Sequence, residues 1–130
     1  MARCKLPRRR TGFTLIELLV VMCIIALLLA VAVPRYFHSV ARAREAVLKE
    51  NLTLIRDALD KHYADTGSYP PNMEALVTKR YLRKVPEDPV TESAGTWVLV
   101  PPDKSGKGGV FDVKSGAPGN SIAGEAYSTW

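Results

Sequence analysis

Phe13 to Val33 is an unbroken apolar run of 21 residues, FTLIELLVVMCIIALLLAVAV, in which only Thr14 and Glu17 are clearly polar. Coiled as a helix it reaches about 31 Å, enough to cross the hydrocarbon core of a bilayer. A chain of 130 residues that commits this much to one run has room for only one small further domain. Charge gives the run a direction. Arg3, Lys5, Arg8, Arg9 and Arg10 precede it, and no acid lies among the first 12 residues. From Phe13 onward 13 bases face 13 acids, so the net charge of +5 belongs to the leader alone. A basic flank before a span puts the N-terminus in the cytoplasm and everything after Val33 on the other side. Basicity confined in this way is no signature of a nucleic-acid surface.

A secretory signal peptide is the competing reading of this run, and Ala30-Val31-Ala32 offers it a cleavage site. Two features oppose it. The run is longer than the usual apolar region of a signal, and it carries Glu17 near its start. A carboxylate costs about 2.5–3.5 kcal/mol at a bilayer centre and less near the interface, so one kept there is expected to have a partner. Cys4 and Cys23 are the only cysteines. No disulfide can therefore form beyond residue 23, and Cys23, inside the apolar run, reads as a small buried thiol.

After Pro34 the pattern becomes amphipathic. Leu48, Leu52, Ile55, Leu59 and Tyr63 recur at helical steps, a stripe facing a core, with Arg42, Glu45, Lys49, Arg56, Asp60 and Lys61 largely off it. Gly67 is a stop signal, and Pro70 and Pro71 lie just beyond it. One helix is therefore predicted from about residue 13 to 66, with Pro34 ending or kinking its apolar half. Asn72 to Leu82 reads as a short helix capped by Asn72. Pro86 to Pro89 runs extended, and Glu87 and Asp88 read as solvated acids. Thr96–Val100 and Val110–Lys114 are two strand patterns joined by the turn residues of 101–109, expected to pair as an antiparallel hairpin on the Leu48–Tyr63 stripe. Residues 115–130 have no period and are expected to form an ordered loop pinned by Tyr127 or Trp130.

The segment Arg10-Thr11-Gly12-Phe13-Thr14-Leu15-Ile16-Glu17-Leu18-Leu19-Val20-Val21 resembles the prepilin-type cleavage and methylation motif of type IV pilins and type II secretion pseudopilins. The resemblance implies cutting between Gly12 and Phe13 by a membrane aspartic peptidase, N-methylation of Phe13, and retention of the helix as an anchor. It also implies a helix bend or local melting at Pro34. Glu17, about one helical turn from Phe13, would pair its carboxylate with a Phe13 ammonium, in the family with that of a neighbouring subunit, setting the axial register. Satisfaction of Glu17 within its own chain is the alternative.

Asp65-Thr66-Gly67-Ser68-Tyr69-Pro70-Pro71, Ala75-Leu76 and Tyr81-Leu82-Arg83-Lys84-Val85-Pro86-Glu87-Asp88-Pro89 resemble the major pseudopilins in particular. Val110 to Gly116 and Trp130 fit them more loosely. The resemblance implies an α+β, type IV pilin-like fold in four segments: a cleaved leader 1–12, a membrane-spanning and filament-core segment 13–33, an amphipathic half-helix 34–66, and a periplasmic head 67–130. It implies an inner-membrane subunit that polymerises to drive export of folded proteins. Its partners would be its own copies, minor pseudopilins, the prepilin peptidase, membrane lipid, and an assembly platform with a cytoplasmic ATPase. A type IV pilus subunit is the alternative, disfavoured because such pilins often close a C-terminal loop with a cysteine pair.

Major pseudopilins commonly hold calcium in that loop with several aspartates. Here Glu125 is the sole carboxylate after Asp112, with Asn120 and Ser121 as the other weak candidates. Calcium takes six to eight oxygens, so no cofactor is expected. Catalysis is not expected either. His38 and His62 are the only histidines, and no metal spacing, phosphate loop or nucleophile elbow is present. Lys79, Arg80, Arg83 and Lys84 surround Tyr81, the one patch suited to nucleic acid. A solvated face or subunit contact is the reading preferred there, and no nucleic-acid partner is expected.

Overall fold

The computed structural model describes residues 2–4, 7, 9, 11–102 and 108–130. Lys5, Arg8 and Arg10 of the leader, and 103–107 of the turn, lie outside the described residues. The order is α1 (Leu15–Thr66), α2 (Met73–Thr78), β1 (Val98–Val100), β2 (Asp112–Lys114) and a 3-10 turn at Tyr127–Thr129. The fold is α+β: one long helix and a small two-stranded antiparallel sheet. The chain divides into two compact units, Met1–His38 and Ser39–Trp130.

In the first unit the apolar part of α1 is bare. It is the one helix long and apolar enough to cross a membrane among the described residues, with a mean hydropathy of 3.1 and none of that window buried. Cys23, expected to be buried, is exposed, because no element of this unit covers the helix. Pro34 lies inside α1 and does not end it.

In the second unit, α1 supplies Leu48, Leu52, Ile55 and Leu59 to the core, where they meet Met73 and Leu76 of α2, Leu82, Trp97, Val110 and Val113. Burying each such aliphatic side chain is worth about 1.5–3 kcal/mol. Tyr63 departs from the stripe and stays 47% exposed, stacked on Tyr69 with ring centroids 4.5 Å apart. Ala58 and His62 are buried from the same helix instead. Gly67 closes α1 in the left-handed conformation, φ 74°, donating its N–H to Tyr63 O at 2.8 Å.

Asn72 caps α2 as expected, accepting from Ala75 N at 2.9 Å. That helix stops at Thr78, short of the predicted Leu82. Arg80 takes a left-handed φ of 64°, and Tyr81 and Leu82 both turn their N–H groups back to Leu76 O, at 2.9 and 3.2 Å. Burial of Leu82 and the Tyr81 ring against His62 draw the chain inward there.

The hairpin pairs Val98 with Lys114, Leu99 with Val113 and Val100 with Asp112. Both strands are shorter than their sequence patterns. Val110 gives its N–H to Pro70 O at 2.8 Å, and Trp97 turns inward to donate from Nε1 to Pro86 O at 2.8 Å. Arg56 ties helix to sheet, donating from Nε to Asp112 Oδ1 at 2.8 Å and from Nη2 to Val113 O at 3.0 Å. Asp88, expected to be solvated, is fully buried, because donors from its own turn and from Ser115 converge on it.

Candidate functional site

The first turn of α1 is built by a reciprocal cap. Thr14 Oγ1 accepts from Glu17 N at 3.2 Å, and the Glu17 Oε2 atom faces Thr14 N at 3.5 Å. Two N–H groups that a helix N-terminus leaves without intrahelical partners are thereby met. The carboxylate also lies at the positive end of the helix dipole. Thr-x-x-Glu before an apolar run is a capping-box signature, and that pattern was the signal by which Thr14 could have been found.

Thr11, Gly12, Phe13 and Glu17 line one open concavity of about 270 Å³. The structure thus brings three of the expected site residues together: Gly12 and Phe13 on either side of the expected scissile bond, and Glu17 beside them. Phe13 is 87% exposed. A Cβ added to Gly12 would meet nothing within 4 Å, so the fold of this chain places no steric demand for glycine at that position.

In the C-terminal loop the weak calcium candidates Ser121 and Glu125 are engaged with one another. Among the described residues no three His, Cys, Asp or Glu side chains cluster as metal ligands. Asn120 and Glu125 are exposed. Ser121 Oγ accepts from Glu125 N at 3.2 Å, Ser121 O accepts from Gly124 N at 2.9 Å, and Glu125 O accepts from Ser121 N at 2.6 Å. Each of these oxygens accepts one of the loop's own N–H groups, and Glu125 is the one carboxylate among the three candidates.

The basic cluster is also partly committed. The Tyr81 hydroxyl donates to Asp65 Oδ2 at 2.8 Å, and its ring lies edge-on to His62 with centroids 5.4 Å apart. Tyr81 is thereby held against the protein's own His62 and Asp65. Glu45 was missed by sequence reasoning. It accepts from Ile122 N and the Tyr127 hydroxyl, 77 and 82 positions along the chain, and no local pattern announces a pairing of that range.

Residues 7–33 match the family model described as "Prokaryotic N-terminal methylation motif". The chain is 36% identical over 98 residues to a type II secretion system core protein G of Pseudomonas aeruginosa, covering 63% of this chain and 69% of that one. A type II secretion system core protein G of Vibrio cholerae is 31% identical over 100 residues, covering 65% and 68%. A fimbrial protein, EcpC, of Eikenella corrodens is 34% identical over 99 residues, covering 70% and 60%. No solved structure matches.

Proposed function

Since this chain belongs to the type II secretion system core protein G family, we propose that it is the structural subunit of a periplasmic pseudopilus, polymerising through its N-terminal helix to move folded proteins across the outer membrane. The role is structural rather than catalytic. The observation that carries it is the bare apolar half of α1, beginning at a capped Glu17 just past the Gly12-Phe13 bond. A helix apolar all round needs lipid or other apolar helices around it. Before assembly lipid covers it, and in the filament neighbouring copies do, Cys23 included.

The basic leader stays in the cytoplasm and the second unit lies in the periplasm. A prepilin peptidase cuts after Gly12 and Phe13 is N-methylated. Glycine at position 12 then serves the peptidase, which must bring its catalytic groups close to the backbone. In the filament core the Phe13 ammonium and the Glu17 carboxylate of a neighbour neutralise each other, which lone charges there require. Minor pseudopilins, an inner-membrane platform and its cytoplasmic ATPase complete the machine. The fimbrial relative supports a surface pilus as the second reading, but this chain has no cysteine after residue 23 to close a pilin-type disulfide loop.

Intact-mass measurement of the membrane-extracted protein tests the reading. A chain beginning at monomethylated Phe13 is expected, with unprocessed precursor accumulating for Gly12→Val. A chain beginning at Val33 would mean signal-peptidase cleavage and would end it. Labelling cells for the filament separates the two assemblies: periplasmic for a pseudopilus, on the surface for a pilus.

A further inference from the structure

The C-terminal loop offers its anchor the wrong polarity for a cation. Residues 119–127 first close on themselves: Asn120 bridges Ala126, and Tyr127 N donates to Gly119 O at 3.3 Å. Gly119 and Gly124 make the reversals at φ 90° and 88°. This loop meets the core through the packing of Tyr127 and Trp130, and a polar attachment joins it to α1. That attachment is made by donors. Ile122 N–H reaches Glu45 Oε1 at 2.7 Å, and the Tyr127 hydroxyl reaches the same oxygen at 3.0 Å. Converging N–H and O–H groups select an anion, whereas a cation needs converging oxygens.

We propose that in this chain Glu45 of α1 does the work that calcium does in other members of the family, clasping the C-terminal loop to the helix without a metal ion. The comparison with a metal-held loop rests on the family reading; the clasp itself does not. The bonds accepted by a carboxylate are charge-assisted and stronger than neutral ones. The Tyr127 phenol is pushed above its ordinary range by burial first and by the Glu45 bond second, as a donor facing a carboxylate must be. Trp130, edge-on to Tyr127 with centroids 5.2 Å apart and under the Lys49 ammonium at 4.5 Å, packs beside the clasp.

The test uses the full chain extracted in detergent. Its thermal midpoint is expected to be the same in excess calcium and in chelator. A structural calcium at a hundredfold excess over its dissociation constant would raise the midpoint by roughly 10–20 °C, and a rise of that size overturns the proposal. Hydrogen exchange then reads the loop directly. Glu45→Ala is expected to speed exchange of the Ile122 amide at least about tenfold while the core of α1 stays protected. Should Glu45→Ala fail to fold, the isosteric Glu45→Gln decides: faster exchange confined to the loop supports the clasp. Unchanged exchange at Ile122 in the folded variant overturns it. Neither readout needs a filament or secretion, so failure here leaves the pseudopilus reading untouched.

Discussion

Ser115 Oγ donates to Asp88 Oδ2 at 2.6 Å, and both residues are fully buried. The other carboxylate oxygen accepts from Val90 N at 2.9 Å and Thr91 N at 3.4 Å, and Ala117 N donates to Ser115 Oγ at 3.2 Å. One acid therefore locks the 88–93 turn to the segment leaving β2. Ser115→Ala is expected to cost about 1–3 kcal/mol, because it leaves a buried acceptor without its donor. Asp88→Ala should cost more, since it orphans three donors. Urea unfolding of the two variants checks the order. Equal and negligible losses would show that the network is incidental.

Gly116 lies against the chain just before β1, and an added Cβ would overlap the Thr96 carbonyl oxygen. Backbone cannot yield as a side-chain tip does. Gly116→Ala is expected to destabilise the second unit by about 1–3 kcal/mol. Gly12→Ala meets open space and should change stability by less than about 0.5 kcal/mol. Melting both variants side by side tests whether the two glycines serve different ends, one packing and one recognition.

Alkaline pH should loosen the second unit. The bond to Asp65 is the main cause that raises the Tyr81 phenol above the ordinary 10.0. Burial is the main cause for Tyr127, with Glu45 adding to it. Both phenols hold their protons longer folded than unfolded. Their stabilisation is thus fully present below the unfolded value and is lost as pH rises through the raised folded values. The unfolding midpoint should hold up to the ordinary phenol value of 10.0 and fall as the pH rises above it. Tyr81→Phe should shrink that fall, and a fall of the same size in Tyr81→Phe and Tyr127→Phe would remove tyrosine as its source.

Periodicity made the core half of α1 legible, because Leu48, Leu52, Ile55 and Leu59 repeat at the helical step, and Asn72 announced the start of α2. The end of α2 was hidden, since Arg80 takes a conformation that sequence reserves for glycine, driven by burial of residues that follow it. Asp88 misled for a related reason. An acid between prolines reads as solvated unless its donors are known, and Ser115 lies 27 positions away. In the site, the motif gave Gly12, Phe13 and Glu17, while the Thr14 cap was present in the sequence and unread. Glu45 could not be read at all, because its partners come from the other end of the chain.

Glu17 has a partner in its own chain, and that fact sharpens the test of its role in assembly. The cap with Thr14 and the proposed pairing with a neighbour's Phe13 ammonium are separable by substitution. Gln at position 17 still serves a capping box but carries no charge. Leu removes both cap and charge. Val at position 14 removes the hydroxyl that caps and leaves the carboxylate, at a cost of about 1 kcal/mol to the first turn. If charge pairing drives assembly, correctly processed Glu17→Gln and Glu17→Leu subunits should reach normal membrane levels yet form few filaments and secrete poorly, whereas Thr14→Val should assemble. Insertion should not suffer in Glu17→Leu, since a carboxylate leaves the anchor. Intact mass must establish cleavage and methylation in each variant, because Glu17 lines the same concavity as Gly12 and Phe13, the residues flanking the expected scissile bond. Normal filaments from processed Glu17→Leu would reduce Glu17 to a cap. Failure of Thr14→Val alongside success of Glu17→Gln would assign assembly to the order of the first turn and not to charge.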